Sequence, residues 1–194
     1  KDCSISDCGY GIRAYHADAK PHIEGNDLTE NNKALWIQYA DPEVIDNKMN
    51  SYGSNTIYLY HGKGSYKNNT IESRNGDGVY IYGSNAFPHF NGQWDGYGNY
   101  FDNCDGSYFN VAGGNLYLGY DYYNSGGFNV LPEGGFGYKA VVNNTGSMIY
   151  AELNWWRYLS SSGGYPSTGS VFFGYPVEYI PACAKPSQAG ALWK

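Results

Sequence analysis

Aromatic residues recur in this chain at a nearly constant interval. Trp36, Tyr58 and Tyr80 follow one another at 22 residues, and Tyr108 comes after a longer step. A second set, two positions farther along in the same segments, consists of Tyr15, Gln38, Tyr60 and Tyr82. Aromatic rings offer apolar faces, while phenol hydroxyls and a side-chain amide form hydrogen bonds. If these side chains share one surface, they can bind a ligand that combines flat apolar faces with hydroxyl groups.

Short strand-like segments carry these side chains, at residues 11–15, 34–38, 56–60 and 78–82. Their first apolar residues lie at positions 12, 35, 57 and 79, so the interval is nearly constant. A fifth segment, 106–110, follows. A constant interval of this size indicates stacked structural repeats. Each repeat is too short to hold a strand and a crossover helix, so the pattern predicts a solenoid without helices.

A second periodic signal comes from asparagines that stand two positions before an apolar residue. They are Asn26, Asn47, Asn69 and Asn99, and the last step is the longest, so both signals lengthen in the same repeat. Side-chain amides stacked at a bend can bond to one another and to turn backbone that the sheets leave unpaired. We therefore expect these asparagines to stack at one corner of the solenoid.

Two motifs resemble the right-handed parallel β-helix repeat family over roughly residues 3–130. They are the opening Ile5-x-x-Cys8-x-x-Gly11-Ile12 and the recurring Asn-x-Ile/Leu turns. Residues 149–156 resemble the Asn-Trp-Trp-Gly segment that closes such domains in secreted bacterial proteins, although Arg157 replaces the glycine. The predicted fold is all-β, a single-stranded right-handed parallel β-helix of about five to seven coils. We assign residues 1–153 to the β-helix and 154–194 to a C-terminal capping segment of the same domain.

Strand alternation sorts the repeated segments into an aliphatic inward set and an aromatic outward set. The first outward column reads Arg13, Trp36, Tyr58, Tyr80 and Tyr108; the second reads Tyr15, Gln38, Tyr60, Tyr82 and Asn110. Contacts between neighbouring strands, worth about 0.2–1 kcal/mol each, offer one explanation. The other is binding, because monomeric proteins rarely expose so extended an apolar patch without a partner.

The outward columns favour a carbohydrate as the ligand. Neighbouring rungs lie about 4.8 Å apart, close to the advance per sugar of an extended β-linked polysaccharide. Stacking on a ring contributes about 1 kcal/mol, and binding is expected to be micromolar to millimolar. Because the columns hold little positive charge, a neutral β-1,4-linked plant polysaccharide, xylan or cellulose-like, is expected. Trp94, in an irregular stretch at 85–97, is a further candidate for the wall of a groove.

The overall pattern resembles carbohydrate-binding module family 89. That resemblance implies xylan binding without catalysis, a secreted extracellular bacterial protein, and attachment to a catalytic domain in a longer chain. Two alternatives remain: a β-helix polysaccharide lyase or glycoside hydrolase, and a structural or adhesin β-helix. For catalysis the candidates are Asp95, Asp102 and Asp105, although aspartates in such contexts more often stabilise turns.

Composition limits the other partners. The net charge is −6 with only three arginines, which argues against nucleic acid and anionic membranes. No apolar run is long enough to span a bilayer. Cys3, Cys8, Cys104 and Cys183 lack zinc-site spacing, and both free thiols and one disulfide stay open. We expect no cofactor, with calcium at an aspartate-rich turn as an option.

Overall fold

A computed structural model describes residues 1–90, 98–119, 129–131, 140–147, 149–151, 154–156, 172–174 and 177–178. These residues form short strands, every pairing between them is parallel, and the described part contains no helix. The strands of the first four coils are β1 (Tyr10–Tyr15), β2 (His22–Glu24), β3 (Asp27–Asn31), β4 (Lys33–Gln38), β5 (Glu43–Ile45), β6 (Lys48–Ser51), β7 (Asn55–Tyr60), β8 (Ser65–Lys67), β9 (Thr70–Ser73), β10 (Asp77–Tyr82), β11 (His89–Phe90) and β12 (Tyr100–Cys104). The later strands are β13 (Phe109–Val111), β14 (Val130–Leu131), β15 (Val141–Asn143), β16 (Ile149–Tyr150), β17 (Trp155–Trp156), β18 (Phe172–Gly174) and β19 (Val177–Glu178).

The strands build three walls of a solenoid. The long wall contains β1, β4, β7, β10, β13, β15 and β18; the short wall contains β2, β5, β8 and β11; the back wall contains β3, β6, β9, β12, β14 and β17. A further pair joins β16 and β19. Four consecutive turns have all three strands in described residues, fewer than the five to seven coils predicted, and the later turns are described only in part.

Inward side chains form the core that the alternating pattern predicts. On the long wall Leu35 pairs in register with Ile57, and Ile57 with Val79, and all three are completely buried. Completely burying an aliphatic side chain contributes about 1.5–3 kcal/mol. The inward column is therefore the main source of the stability that holds the long wall in place.

Six asparagines form a buried ladder at the corner before the back wall. In order they are Asn26, Asn47, Asn69, Asn99, Asn129 and Asn154. Each of the first five donates from Nδ2 to the Oδ1 of the next, at 2.9, 3.1, 2.9, 2.8 and 2.8 Å. The predicted stacking of the first four is confirmed. Asn129 and Asn154 continue the asparagine ladder beyond the predicted set.

The fourth coil is longer than its neighbours, but its walls stay in register. His89 pairs with Ser65 across a step close to the ordinary repeat, whereas the step from Thr70 to its partner Tyr100 is clearly longer. The extra residues therefore lie mostly between β11 and β12, largely outside the described part. Asn69 Nδ2 still reaches Asn99 Oδ1 at 2.9 Å, the distance found across the shorter first step of the ladder.

Parallel stacking continues past residue 153. Asn154 accepts a hydrogen bond from Asn129, β17 pairs with β14, and β18 pairs with β15. The stack thus does not end at the predicted boundary between 153 and 154. Most of 154–194 lies outside the described residues, and its capping role stays a prediction.

Candidate functional site

The outward side chains of β1, β4, β7 and β10 form the aromatic strip. Parallel pairing aligns Arg13, Trp36, Tyr58 and Tyr80 in one column and Tyr15, Gln38, Tyr60 and Tyr82 in the other. The strip therefore brings together the first four members of each predicted column. Of its rings Tyr15 and Tyr82 are the most open, with 57% and 46% of their surface exposed.

The placement of Tyr108 on this strip was wrong. Val79 pairs with Phe109 and Tyr80 with Asn110, so the fifth segment is shifted by two residues from the predicted alignment. Tyr108 is only 4% exposed and packs against Phe101, with ring centroids 5.6 Å apart. Asn110 consequently follows Tyr80 in the first column instead of lying in the second.

Part of the stretch at 85–97, which was predicted to be irregular, forms a strand. Its residues His89–Phe90 form β11, and the buried Phe90 ring stacks on Tyr66 at a centroid distance of 4.3 Å. Phe90 is therefore a core residue, whereas Phe87 is exposed. Trp94, the predicted wall of a groove, lies outside the described residues.

The rings of the strip pack on one another. Tyr58 and Tyr80 stack at a centroid distance of 5.6 Å with planes 14° apart. Tyr60 and Tyr82 stack at 5.7 Å and 20°. Stacking between successive coils turns ring faces along the solenoid axis, so in these pairs it is mainly ring edges that reach solvent. In these two pairs, one face of each ring is turned toward its partner and is not open to a separate sugar.

Trp36 is enclosed by its neighbours. Tyr10 meets its ring edge-on at 4.7 Å, Tyr58 meets it at 5.3 Å, and the guanidinium carbon of Arg13 lies 4.7 Å from its ring centroid. The cation over the ring face adds an electrostatic attraction to the packing. Tyr10 was not among the predicted residues; it immediately precedes the first repeated segment and is the first residue of β1.

A third column, missed in the sequence, borders the strip at the turn that follows the long wall. It consists of His16, Tyr39, His61 and Gly83, which recur at the same interval as the strip residues. All four have positive φ, a conformation that bulky residues rarely adopt. Tyr39 and His61 stack at 5.2 Å, and a Cβ on Gly83 would come within 2.8 Å of the His61 ring. The shared interval was the available sequence signal.

Burial changes the acidity of groups at the strip. It raises the pKa of Tyr58, and the charges of the neighbouring tyrosines act in the same direction. It also lowers the pKa of Lys33, whose ammonium nitrogen lies 5.8 Å from the Tyr58 ring centroid. The eight aligned residues of the strip include one charged side chain, Arg13, and no carboxylate.

A charged groove of about 1270 Å³ lies beside the third column, against the short wall. Asp41, Glu43, Lys63, Lys67 and His89 are among its lining residues. Burial lowers the pKa of His89, and the charge of Asp41 opposes this change. The groove thus mixes both signs of charge, in contrast to the strip.

The candidate catalytic acids do not join the strip. Asp102 belongs to β12 on the back wall, where it pairs in register with Glu72, and Asp105 is an exposed residue just after that strand. Asp95 lies outside the described residues. Among the described residues no group of three or more His, Cys, Asp or Glu side chains could hold a metal ion.

The described cysteines are free thiols. Cys3 is exposed and Cys8 half-buried, whereas Cys104 is buried and its burial raises the pKa of the thiol. Cys183 lies outside the described residues. In the described part of the chain, no helix has the length and apolar character that crossing a membrane needs.

The three parallel walls, the inward core and the asparagine ladder define an all-β parallel solenoid. A family profile described as "right handed beta helix region" matches residues 1–105, more than half of the chain. The chain therefore belongs to the right-handed β-helix family. No curated protein and no solved structure matches it.

Proposed function

We propose that the chain is a non-catalytic carbohydrate-binding module for a β-1,4-linked plant cell-wall polysaccharide, with xylan as the favoured ligand. The observation that carries this proposal is the alignment of six aromatic rings in two adjoining columns on one wall. Right-handed β-helices include polysaccharide-active proteins. A fold alone does not define a function, so the argument rests on the surface itself.

The composition of the strip suits a neutral glycan. Its ring edges are apolar, while tyrosine hydroxyls and the Gln38 amide can exchange hydrogen bonds with sugar hydroxyls. Exposed aromatic surface of this extent is uncommon on monomers that have no partner. Arg13 is the one ionic side chain in the two columns, which favours xylan or a cellulose-like chain over an acidic polysaccharide.

Ring stacking within the strip changes the expected mode of contact. Because the rings of each stacked pair turn one face toward each other, a glycan lying across these pairs meets mainly ring edges and hydroxyls. Each edge buries less apolar area than a face, so its contribution falls to roughly 0.5 kcal/mol. Dissociation constants toward the millimolar end of the micromolar-to-millimolar range are expected.

The proposal includes a biological setting. The chain acts outside the cell and serves as an ancillary module of a larger polysaccharide-degrading enzyme. Support comes from the resemblance of its repeats and Asn-Trp-Trp segment to secreted bacterial β-helix domains. No nucleic acid or membrane partner is proposed, in keeping with the net charge of −6.

The decisive experiment replaces Trp36, Tyr58 and Tyr80 together by Ala. We expect loss of retention on insoluble xylan and in xylan affinity gels, with an unchanged far-UV circular dichroism spectrum. Tyr52→Ala is the matched control, because Tyr52 is an exposed tyrosine (46%) outside the strip. If the triple variant unfolds, Tyr58→Phe with Tyr80→Phe keeps the ring stack and should still weaken retention. Full retention by the folded variants would disprove the proposal.

One observation favours a second candidate, a structural or adhesin role. The stacked rings join successive coils and so stabilise the solenoid even without a ligand. A panel of polysaccharides, followed for both gel retardation and product release, separates the possibilities. Retardation without products indicates a binding module, products indicate a lyase or hydrolase, and neither result favours the structural role.

A further inference from the structure

The aromatic strip ends abruptly at the fifth coil. In the second column the position after Tyr82 belongs to Ala112, whose backbone N–H donates to Ile81 O at 2.9 Å. The next position belongs to Asn144, whose N–H donates to Val111 O at 2.9 Å. The column therefore runs from an aromatic ring, across a methyl group, to an amide. One ring is missing from the stack.

In the described part of the chain no ring therefore covers the second face of Tyr82. Tyr60 covers the other face, and yet Tyr82 remains 46% exposed. A recess of about 520 Å³ lies at this position, lined in part by Tyr82, Ala112 and Asn144. We call it the ring slot. It differs from the space between the stacked rings Tyr60 and Tyr82, because here a ring face adjoins a methyl group and not a second ring.

The floor of the ring slot is backbone. Gly113 and Gly114 lie against the preceding coil. A Cβ on Gly113 would lie 2.8 Å from Gly83 N, and a Cβ on Gly114 would lie 2.4 Å from Ala86 O. Gly114 also has a φ of +76°, which disfavours other residues. The Ala-Gly-Gly sequence thus keeps the slot open without weakening the packing beneath it.

The slot has the thickness of one ring. Tyr82 and Asn144 are two rungs apart, about 9.6 Å along the axis. A flat group midway between them lies about 4.8 Å from each, slightly more than the roughly 3.5–4.0 Å of carbon–carbon contact. A puckered ring with axial hydrogens on both sides occupies that extra distance better than a planar aromatic ring does.

The chemistry of the slot matches an uncharged polyol. None of its described lining residues is Asp, Glu, Lys or Arg. Ser84, Asn144 and Thr145 provide hydroxyl and amide groups around the free ring face. Resting on the function proposed above, we propose that the ring slot holds one pyranose ring of a neutral glycan, stacked on the free face of Tyr82. The sugar takes the place of the missing aromatic side chain.

The test fills the slot with a protein side chain. In Ala112→Tyr, the new ring continues the second column and occupies the free face of Tyr82. Ala112→Ser is the matched control, because a serine leaves the slot open. Binding of xylotetraose and cellotetraose is measured by isothermal titration calorimetry. We expect Ala112→Tyr and Tyr82→Ala each to weaken binding by about five- to tenfold, with Ala112→Ser close to wild type.

Thermal unfolding accompanies the titration. Ala112→Tyr should melt at or above the wild-type temperature, so its loss of binding cannot come from unfolding. If Ala112→Tyr binds with wild-type affinity while the triple variant of Trp36, Tyr58 and Tyr80 still loses retention on xylan, the ring-slot proposal is wrong. The proposed function then still stands. If the wild-type chain binds neither the oligosaccharides nor xylan, both proposals are wrong.

Discussion

The asparagine ladder and the aromatic strip follow the same coils but differ in extent. The ladder continues without interruption from Asn26 to Asn154, across coils of unequal length. The strip covers the first four coils, and Asn110 and Val142 follow it in the first column on β13 and β15, where the long wall continues. Coil stacking is thus accompanied by a ladder asparagine at each level from Asn26 to Asn154, whereas it continues at β13 and β15 without strip rings.

Polar satisfaction accounts for this difference. A ladder asparagine donates to backbone carbonyls at the corner, as Asn47 does to Ile23 O and Ile45 O, so a missing amide deprives them of this donor. A strip ring lies at the surface, where water can take its place. The continuous asparagine ladder is therefore the feature that builds the fold. The aromatic strip, which is concentrated in four coils, is available for another purpose.

The largest effect is expected from Asn47→Ala. The Asn47 amide donates to Ile23 O at 2.9 Å, to Ile45 O at 2.8 Å and to the next ladder asparagine, and its Oδ1 accepts from the preceding one. Losing these buried bonds should lower the free energy of unfolding in urea by about 3–5 kcal/mol. Asn85→Ala, at an exposed position, should change it by less than about 0.5 kcal/mol. Equal losses of unfolding free energy in the two variants would show that the ladder has no special role in stability.

A smaller effect is expected from Tyr58→Ala. Removing this ring ends its stacking on Tyr80 and its edge contact with Trp36. The free energy of unfolding should fall by about 1–2 kcal/mol, from lost aromatic pairing and burial together. Tyr58→Phe should retain most of the stability because the ring remains. A loss as large as that of Asn47→Ala would show that the strip contributes as much to stability as the ladder does.

The smallest effect is a difference in alkaline pH dependence. Burial raises the pKa of Tyr58 in the folded protein above its ordinary value, whereas asparagine does not titrate. The stability linked to neutral Tyr58 is therefore fully present below about pH 10, where the phenol is neutral in both the folded and the unfolded chain. It is lost as pH rises from there through the raised pKa. Melting temperatures from about pH 9 to 11 should fall less steeply in Tyr58→Phe than in wild type; parallel curves would show that Tyr58 does not contribute.

Most of the fold was predictable because its determinants are periodic and local. Alternation at 12, 35, 57 and 79 identified the inward residues, and asparagine spacing identified the corner. Tyr108 was misplaced because Gly106-Ser107 was aligned with Gly78-Val79. The longer asparagine step from Asn69 to Asn99 contained the correction, since a step of the same length from Val79 leads to Phe109, its observed partner.

The candidate site was predictable in position but not in detail. The alternation of inward and outward side chains along each strand predicted the alignment of Trp36, Tyr58 and Tyr80. Ring orientation depends on side-chain torsions and on neighbours in other coils, so the stacking of Tyr58 on Tyr80 could not be read from spacing. The positive φ of Tyr39 and His61 likewise arises from the turn geometry of the assembled stack.

The long fourth coil has a consequence for the engineering of this chain. In the sequence, its additional residues lie mostly between Phe90 and Asn99, while the ladder bond from Asn69 to Asn99 is 2.9 Å long. Because the ladder bond joins successive coils at the same distance, the length of a coil can change without a change in the geometry of the walls. Foreign peptides grafted at the equivalent corners of other coils, such as the one between β8 and β9, would be displayed from a rigid scaffold whose binding face keeps its spacing.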